Sequence, residues 1–321
     1  MAPTRTGFTL ALCLCASAAL AQNYPNGPLR IIVPFAPGGS TDILGRVIAQ
    51  KLNEKFKVPA VADNRPGANG TIGAAMAAKA PPDGHTLLIV PAGFAANPVM
   101  YKNLPYVQSR DLAPASQLVA GPLTLTVHPS LPAKTVRDLI ALAKAHPHEI
   151  SFGSSGTGSL NQLAAEWFAL SAGVKMTHVP YKGGGAGVID LMSGQISLYF
   201  MNALQSLPYI KSGRLRALGV TTPQRSPFAP EIPAIAESGL PGYDMTTWTA
   251  LMVTGGTPRE IVARLQVEVA QILNQPDIRE RLAADGMAVV ASTPEQFSAF
   301  LKSENAKYAR IIQAAGIAQA Q

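Results

Sequence analysis

A chain of 321 residues with 47% hydrophobic and 14% charged residues is too apolar to be disordered and long enough for two domains, each with its own core. Its 26 Lys and Arg against 19 Asp and Glu give a formal charge of +7. The basic residues stand singly, without runs or interleaved aromatics, which argues against nucleic acid as a partner and for a solvated surface.

The N-terminus reads as a signal peptide. Arg5 precedes an apolar run from Phe8 to Ala21, and the small residues of Ala19-Leu20-Ala21 stand before polar Gln22-Asn23. Cleavage is expected after Ala21, and the run is short for a membrane span, so the mature protein is expected to be exported and soluble. Both cysteines, Cys13 and Cys15, fall in this leader. The mature chain then has no thiol, disulfide or cysteine metal ligand, and a net charge of +6 once Arg5 is removed. Leu12 and Leu14 stand where a lipid-anchored cysteine needs a small residue before it.

The first mature element is a β-branched strand, Ile31-Ile32-Val33, which stops at Pro34. Gly38 and Gly39 follow, and Ser40-Thr41-Asp42 opens a helix whose Ile43, Leu44, Val47, Ile48 and Leu52 recur at helical spacing. At such a helix start the backbone N–H groups lack internal partners and carry the positive end of the dipole, while glycines let a ligand approach. A small anion is the expected guest, with an ordinary βα turn as the alternative. Val58 to Asp63 reads as a strand, Asn64 to Gly70 as a Gly-rich turn, Thr71 to Ala80 as a helix and Thr86 to Val90 as a buried strand. The alternation implies a parallel sheet, with ligands outside the carboxyl ends of its strands, and Pro91-Ala92-Gly93 is a further loop at that edge.

Pro105 to Pro114 reads as a polar connection, and Leu123 to Val127 as the strand that crosses to a second domain. Thr135 to Ala145 is an amphipathic helix. Then the opening pattern recurs: strand Ile150 to Phe152, loop Gly153 to Ser159, and a helix marked by Leu160, Leu163, Ala164 and Trp167. A third unit runs from Thr177 to Pro180, through Tyr181-Lys182-Gly183-Gly184-Gly185, into a helix ending at Met192. Ile196 to Phe200 is the next strand, its end at Met201-Asn202 pointing into the same space. After Leu215 to Val220 and a Pro-rich segment, Trp248 to Val253 returns to the first domain. Thr257-Pro258-Arg259-Glu260 and Thr293-Pro294-Glu295-Gln296 each read as a capping box opening a packing helix.

Enzyme patterns fail one by one. Lys182 precedes its glycines, which excludes a phosphate-binding G-x-x-x-x-G-K-[ST]. Val188 stands at the third-glycine place of G-x-G-x-x-G, and Thr157 at the last place of G-x-S-x-G. His85, His128, His146, His148 and His178 show no metal-ligand spacing, since Pro147 breaks the one close pair. Asp42, at a helix start, reads as a cap or dipole partner that also shapes the site. What remains are donors: backbone N–H groups and the hydroxyls of Ser40, Thr41, Ser154, Ser155, Thr157, Ser159 and Tyr181. Such a set clamps an oxyanion without transforming it.

The motifs PFAPGGSTD (34–42), DNRPGANGTIGA (63–74), PPDGHTLL (81–88), GSSGTGS (153–159), VPYKGGG (179–185) and IPAIAESGLPGY (232–243) resemble those of the Bug or TctC family, the periplasmic receptors of tripartite tricarboxylate transporters. The resemblance covers essentially the whole mature chain. It implies an α/β fold of two domains like type II periplasmic binding proteins, with mixed sheets flanked by helices and a ligand cleft between the domains. It places Phe35, Ala36, Pro37, Gly38, Gly39, Ser40, Thr41 and Asp42 on one side of a carboxylate, and Ser154, Ser155, Gly156, Thr157, Gly158 and Ser159 on the other. Tyr181, Lys182 and Asn202 are further expected contacts, with Ala92 at the neighbouring strand end. Two departures stand out: Gln162-Leu163 where relatives often read His-Leu, and Phe200-Met201-Asn202 where many read Phe-Asp-Asn. Met201 then argues against an amino-acid ligand.

The expectation is a monomeric receptor without catalysis, cofactor or metal. It binds a small organic carboxylate and delivers it to the membrane subunits of a tripartite transporter. A membrane sensor as the recipient and an exported enzyme of organic acids are the rival readings. The expected division is 1–21 signal peptide, 22–124 with 248–321 as the first domain, and 125–247 as the second.

Overall fold

The computed structural model describes residues 24–181, 183–317 and 319. The leader with its cysteines and cleavage site, and Lys182, lie outside the described residues. From the N-terminal side the chain forms β1 (Leu29–Val33), α1 (Ser40–Phe56), β2 (Ala60–Asn64), α2 (Thr71–Ala78) and β3 (Thr86–Pro91). The short helices α3 (Asn97–Met100) and α4 (Gln108–Asp111) lead into β4 (Leu112–Val127). Next come α5 (Val136–Ala145), β5 (Ser151–Ser154), α6 (Leu160–Ala172), β6 (Thr177–Pro180), α7 (Gly184–Met192), β7 (Leu198–Asn202), α8 (Ala203–Lys211) and β8 (Arg216–Val220). The chain finishes with β9 (Thr246–Thr254), α9 (Arg259–Leu273), α10 (Pro276–Ala284), β10 (Ala288–Val289) and α11 (Pro294–Ala314).

The strands form one sheet in the order β2-β1-β3-β9-β4-β7-β5-β6, with β8 and β10 also paired to β4. β1 runs parallel to β2 and β3, β5 runs parallel to β6 and β7, and β9 is antiparallel to both β3 and β4. β4 changes partners along its length. Leu112 to Pro122 pairs with β9, whereas Leu123 to Val127 lies between β7 and β8. The fold is thus the two-domain, mixed α/β arrangement of a type II periplasmic binding protein, with β4 common to both halves.

Sequence pattern shows only the second half of β4. Pro105 to Pro114 reads as a connection, and beyond it Pro122 cannot donate to a ladder and polar Ser116 and Gln117 break the apolar run, so 115–122 carries no strand pattern. The structure keeps it as a strand by shifting register between Pro114 and Ser116 and again between Gln117 and Val119. Ser116 Oγ and the Gln117 N–H then bond to Ser292 O and Oγ, which satisfies the buried polar groups.

One face of the sheet carries a continuous core. Ile32, Leu88 and Val90 of the first domain join Leu125, Phe152 and Phe200 of the second, closed over by Phe168, Trp248, Phe297 and Tyr308. Each fully buried side chain of this size contributes about 1.5–3 kcal/mol relative to exposure. On the other face the packing divides. Ile31, Leu87 and Ile89 pack with Leu44, Ile48 and Leu265 under α1 and α9, while Leu191, Tyr199 and Met201 form a separate cluster under α7.

Helix starts mostly follow the sequence. Thr135 with Asp138 and Thr293 with Gln296 form capping boxes, and Ser159 caps α6. Thr257 does not cap α9: its hydroxyl donates to Thr254 O at 2.8 Å, and Pro258 takes the cap position. The turn after β9 uses the hydroxyl to satisfy a strand-end carbonyl instead.

Candidate functional site

The first Gly-rich loop joins β1 to α1. Gly38 sits at φ +93, a conformation that favours glycine. Gly39 takes the N-cap position of α1 and offers no capping side chain, so the first N–H groups of the helix are left without one. Asp42 is the third helical residue, not the cap, and it is buried. Its Oδ2 accepts from the Gly38 N–H at 2.9 Å and from Arg46 Nε at 3.0 Å, and its Oδ1 accepts from Asn64 Nδ2 at 2.8 Å. Asn64 also donates to Phe35 O, and Arg46 to Asn64 Oδ1, so the loop is tied to the end of β2 from behind. Burial pushes the Asp42 carboxyl up, but the hydrogen bonds from Arg46, Gly38 and Asn64 outweigh it and hold its pKa below the usual range. An acid in the first turn would repel an incoming anion; paired with Arg46, this one does so less.

The second loop, between β5 and α6, has the same lettering and a different set of internal hydrogen bonds. Ser154 is fully buried, with Oγ 2.6 Å from His178 Nε2 and 3.1 Å from Gly156 O. His178 stacks on Phe152, and burial lowers its pKa below the ordinary value. Ser155 Oγ donates to Asn161 Oδ1 at 2.8 Å, and Asn161 Nδ2 donates to Phe200 O at 2.6 Å. Gly158 donates its N–H to Gln162 Oε1. Thr157 alone among the four hydroxyl residues of this loop is exposed and has no hydrogen-bond partner among the described residues.

The remaining expected residues are scattered more widely. Ala92 is buried at the start of a short 3-10 helix after β3. Tyr181 donates its hydroxyl to Asp190 Oδ2 at 2.6 Å; desolvation and that carboxylate push its pKa up to about 12. Asn202 ends β7, is exposed, and takes the N-cap position of α8 without a side-chain cap bond. Among the described residues, no group of His, Cys, Asp and Glu could hold a metal ion, and no helix is long and apolar enough to cross a membrane.

A cavity of about 350 Å³ opens beside the cluster under α1, with Leu44, Val119 and Ile278 in its lining. Gly38, Gly39, Ser40 and Thr41 line it from the first domain, and Asn202 from the second. Phe35 to Pro37, Asp42, Ala92, Tyr181 and Ser154 to Ser159 do not line it. Its floor is Val119 and Pro122 of β4 with Thr247 and Thr249 of β9, and α10 closes a third side with Ile278, Arg281, Leu282 and Asp285. Sequence reasoning missed this third wall. Its only signal is the amphipathic run after Pro276, which reads as packing. The volume lies at the small end of ligand pockets, which run from about 300 to 1,000 Å³, so it suits a small molecule and is too tight for a peptide.

The family model described as the tripartite tricarboxylate transporter family receptor matches residues 44–317. The chain belongs to this family. Protein BugT of Bordetella pertussis is 36% identical over 312 residues, covering 97% of this chain and 96% of BugT. The solved R. palustris protein Rpa4515 with adipate has a TM-score of 0.78 at 36% identity, covering 92% of this chain and 100% of that one. MatC from Rhodopseudomonas palustris with bound malate gives 0.74 at 28% identity, covering 90% of this chain and 100% of MatC. The TctC receptors are periplasmic solute-binding proteins.

Proposed function

We propose that this chain is a periplasmic receptor that captures a small organic carboxylate between its two domains, releases it unchanged, and hands it to the membrane subunits of a tripartite tricarboxylate transporter. The observation that carries this reading is the cavity in which the uncapped start of α1 meets the start of α8 from the other domain. Positive helix ends with free N–H groups, lined by Ser40, Thr41, Thr247 and Thr249, suit a carboxylate and supply no nucleophile with a paired base. The adipate and malate in the two solved relatives support the same ligand class.

Of the expected contacts, Gly38 to Thr41 and Asn202 line this cavity; Phe35 to Pro37, Asp42, Ala92, Ser154 to Ser159 and Tyr181 stand outside its lining and, like Lys182, meet the ligand within this reading only where the two domains close on it. Asp42 acts through the loop it fastens, and Thr157 offers the free hydroxyl of the second loop. The domain division at 22–124 with 248–321 against 125–247 is supported by the change of partners within β4. Export by a leader cleaved after Ala21, a monomeric state and the absence of a cofactor complete the reading.

Mass spectrometry of small molecules released on denaturing the undialysed protein tests it. A carboxylic acid recovered intact, and rebound in calorimetry, is the expected result. Recovery of a chemically altered acid after incubation overturns it in favour of an enzyme.

A further inference from the structure

α11 covers the sheet face opposite the cavity. Thr247 and Thr249 of β9 line the cavity, whereas Trp248 between them points the other way, against Phe297 and Phe300 of α11. Where α11 passes the entry to β9 it carries Glu304 and Lys307. Glu304 is buried, and its Oε2 accepts from Trp248 Nε1 at 3.2 Å, which fixes it to the first domain. Its Oε1 pairs with Lys307 Nζ at 2.5 Å, and Lys307 Nζ also donates to Asp244 O at 3.3 Å. Asp244 belongs with the second domain: before it, Tyr243 donates its hydroxyl to Ala164 O of α6, and after it, Met245 donates its N–H to Thr221 O.

One ammonium thus stands between two acids, one from each domain, and the pairing is unequal. Asp244 Oδ1 is buried and has no hydrogen-bond partner among the described residues. Burial pushes the Asp244 carboxyl above its usual range; Lys307 opposes this and Glu304 adds to it. Lysine is a compact charge on a flexible stem, so rotation of that stem carries it from Glu304 to the Asp244 carboxylate. Tyr308, whose ring centre lies 5.9 Å from Lys307 Nζ, is the third titratable neighbour, and Arg310 further along α11 is engaged over Trp167 of α6.

We propose that Lys307 is a two-position latch at the hinge: paired with Glu304 it holds the domain arrangement described here, and transferred to the Asp244 carboxylate it holds a second arrangement, in which the second domain has turned about the β4 and β9 crossings. This rests on the domain division above and is independent of which molecule the cleft takes. Two buried acids competing for one cation make a bistable element, because a geometry between the two pairings leaves both acids poorly matched. The cluster stands where such a choice is felt. Thr246 and Thr247 pair with Pro122 and Gly121, immediately before β4 leaves β9 for β7 and β8 at Leu123.

Spin-label distances test the latch. Asn53→Cys on α1 and Lys144→Cys on α5 are exposed, lie one in each domain, and meet no other cysteine beyond Cys15. Double electron–electron resonance on the dialysed, labelled protein reads the share of molecules whose label separation departs from that of the arrangement described here. E304Q, which weakens the present pairing, is expected to raise that share about tenfold or more, and D244N, which weakens the alternative, is expected not to raise it. With the cation removed in K307M, adding E304Q is expected to change nothing further. No rise in E304Q overturns the proposal. An equal rise in D244N overturns it in favour of a general loosening of the buried cluster, as does an undiminished effect of E304Q in the K307M background. Circular dichroism melts check that each variant folds. Should E304Q fail to fold, E304D, which keeps the charge and shortens its reach, is expected to raise the share in the same direction, and no rise there counts equally against the latch.

Discussion

The two Gly/Ser loops start from one pattern and end in opposite states. In the first, the helix N-cap is Gly39 with no side chain to give, and the acid that fastens the loop reaches it from behind. In the second, Ser159 caps its own helix, Ser154 is held by His178, Ser155 by Asn161, and the Gly158 N–H by Gln162. The difference lies in the neighbours. A loop whose hydroxyls and helix cap are already bonded acts mainly as a scaffold, whereas one that leaves its helix start without a side-chain cap keeps those donors free for a ligand.

Removing the support should break the contrast most strongly. Asp42→Ala orphans the Gly38 N–H, removes one of the two hydrogen bonds of Asn64 Nδ2 and leaves Arg46 without its carboxylate. With Arg46 half-exposed and discounted accordingly, a loss of about 2–3 kcal/mol is expected by urea denaturation. Unchanged stability would place the loop's anchoring elsewhere.

Glycine substitutions should separate binding from stability. At Gly39 the backbone is extended and a Cβ meets nothing within 4 Å, so Gly39→Val projects into the cavity without strain. Affinity for the carboxylic acid recovered from the protein, measured by calorimetry, is expected to fall by about tenfold or more with little change in melting temperature. Gly158 sits at φ +78, and a Cβ added there would stand 2.7 Å from Met100 Cε, so Gly158→Val should cost about 1–3 kcal/mol of stability. Equal effects of the two variants in both assays would erase the distinction between the loops.

Hydroxyl deletions sharpen the same line. Ser155→Ala leaves Asn161 Oδ1 without its donor and should cost about 1 kcal/mol of stability. Thr157→Ala removes an exposed, unbonded hydroxyl and should be silent in denaturation, appearing only in ligand affinity measured by calorimetry.

The smallest effect concerns pH. Burial lowers the His178 pKa in the fold, so below the ordinary value near 6.5 the unfolded chain binds more protons than the folded one. Stability from this residue is intact above about pH 6.5 and declines as pH falls below it. Thermal midpoints at pH 7.5 and 5.5 should drop more for the wild type than for His178→Gln, and parallel drops would show that His178 does not report on the second loop.

Much of this architecture is legible in the chain because it is local. The apolar period after Ser40, the cap at Thr293 and the glycines at strand ends all act within a few residues of the structure they specify, whereas Ser159, read as a ligand donor, turns out to cap α6. The first half of β4 is not legible, because its prolines and polar residues are made acceptable by Ser292, far away in sequence. The same holds for the cavity. Gly39 and Arg281 share one wall system, yet no periodicity links residues so distant. Nor does the lettering of GSSGTGS reveal that His178 and Asn161 hold two of its hydroxyls.

The placement of β9 bears on how the chain acquires its shape. It is the partner of both β3 and β4, yet it enters only at Thr246, after the whole of the second domain. As the polypeptide emerges from its N-terminus, β1, β2 and β3 therefore wait with a bare, apolar edge at β3 until about 150 further residues have appeared. Such an edge is adhesive toward other chains. Assembly of the first domain is a late event by topology, and the protein's hazard during synthesis lies in its opening third.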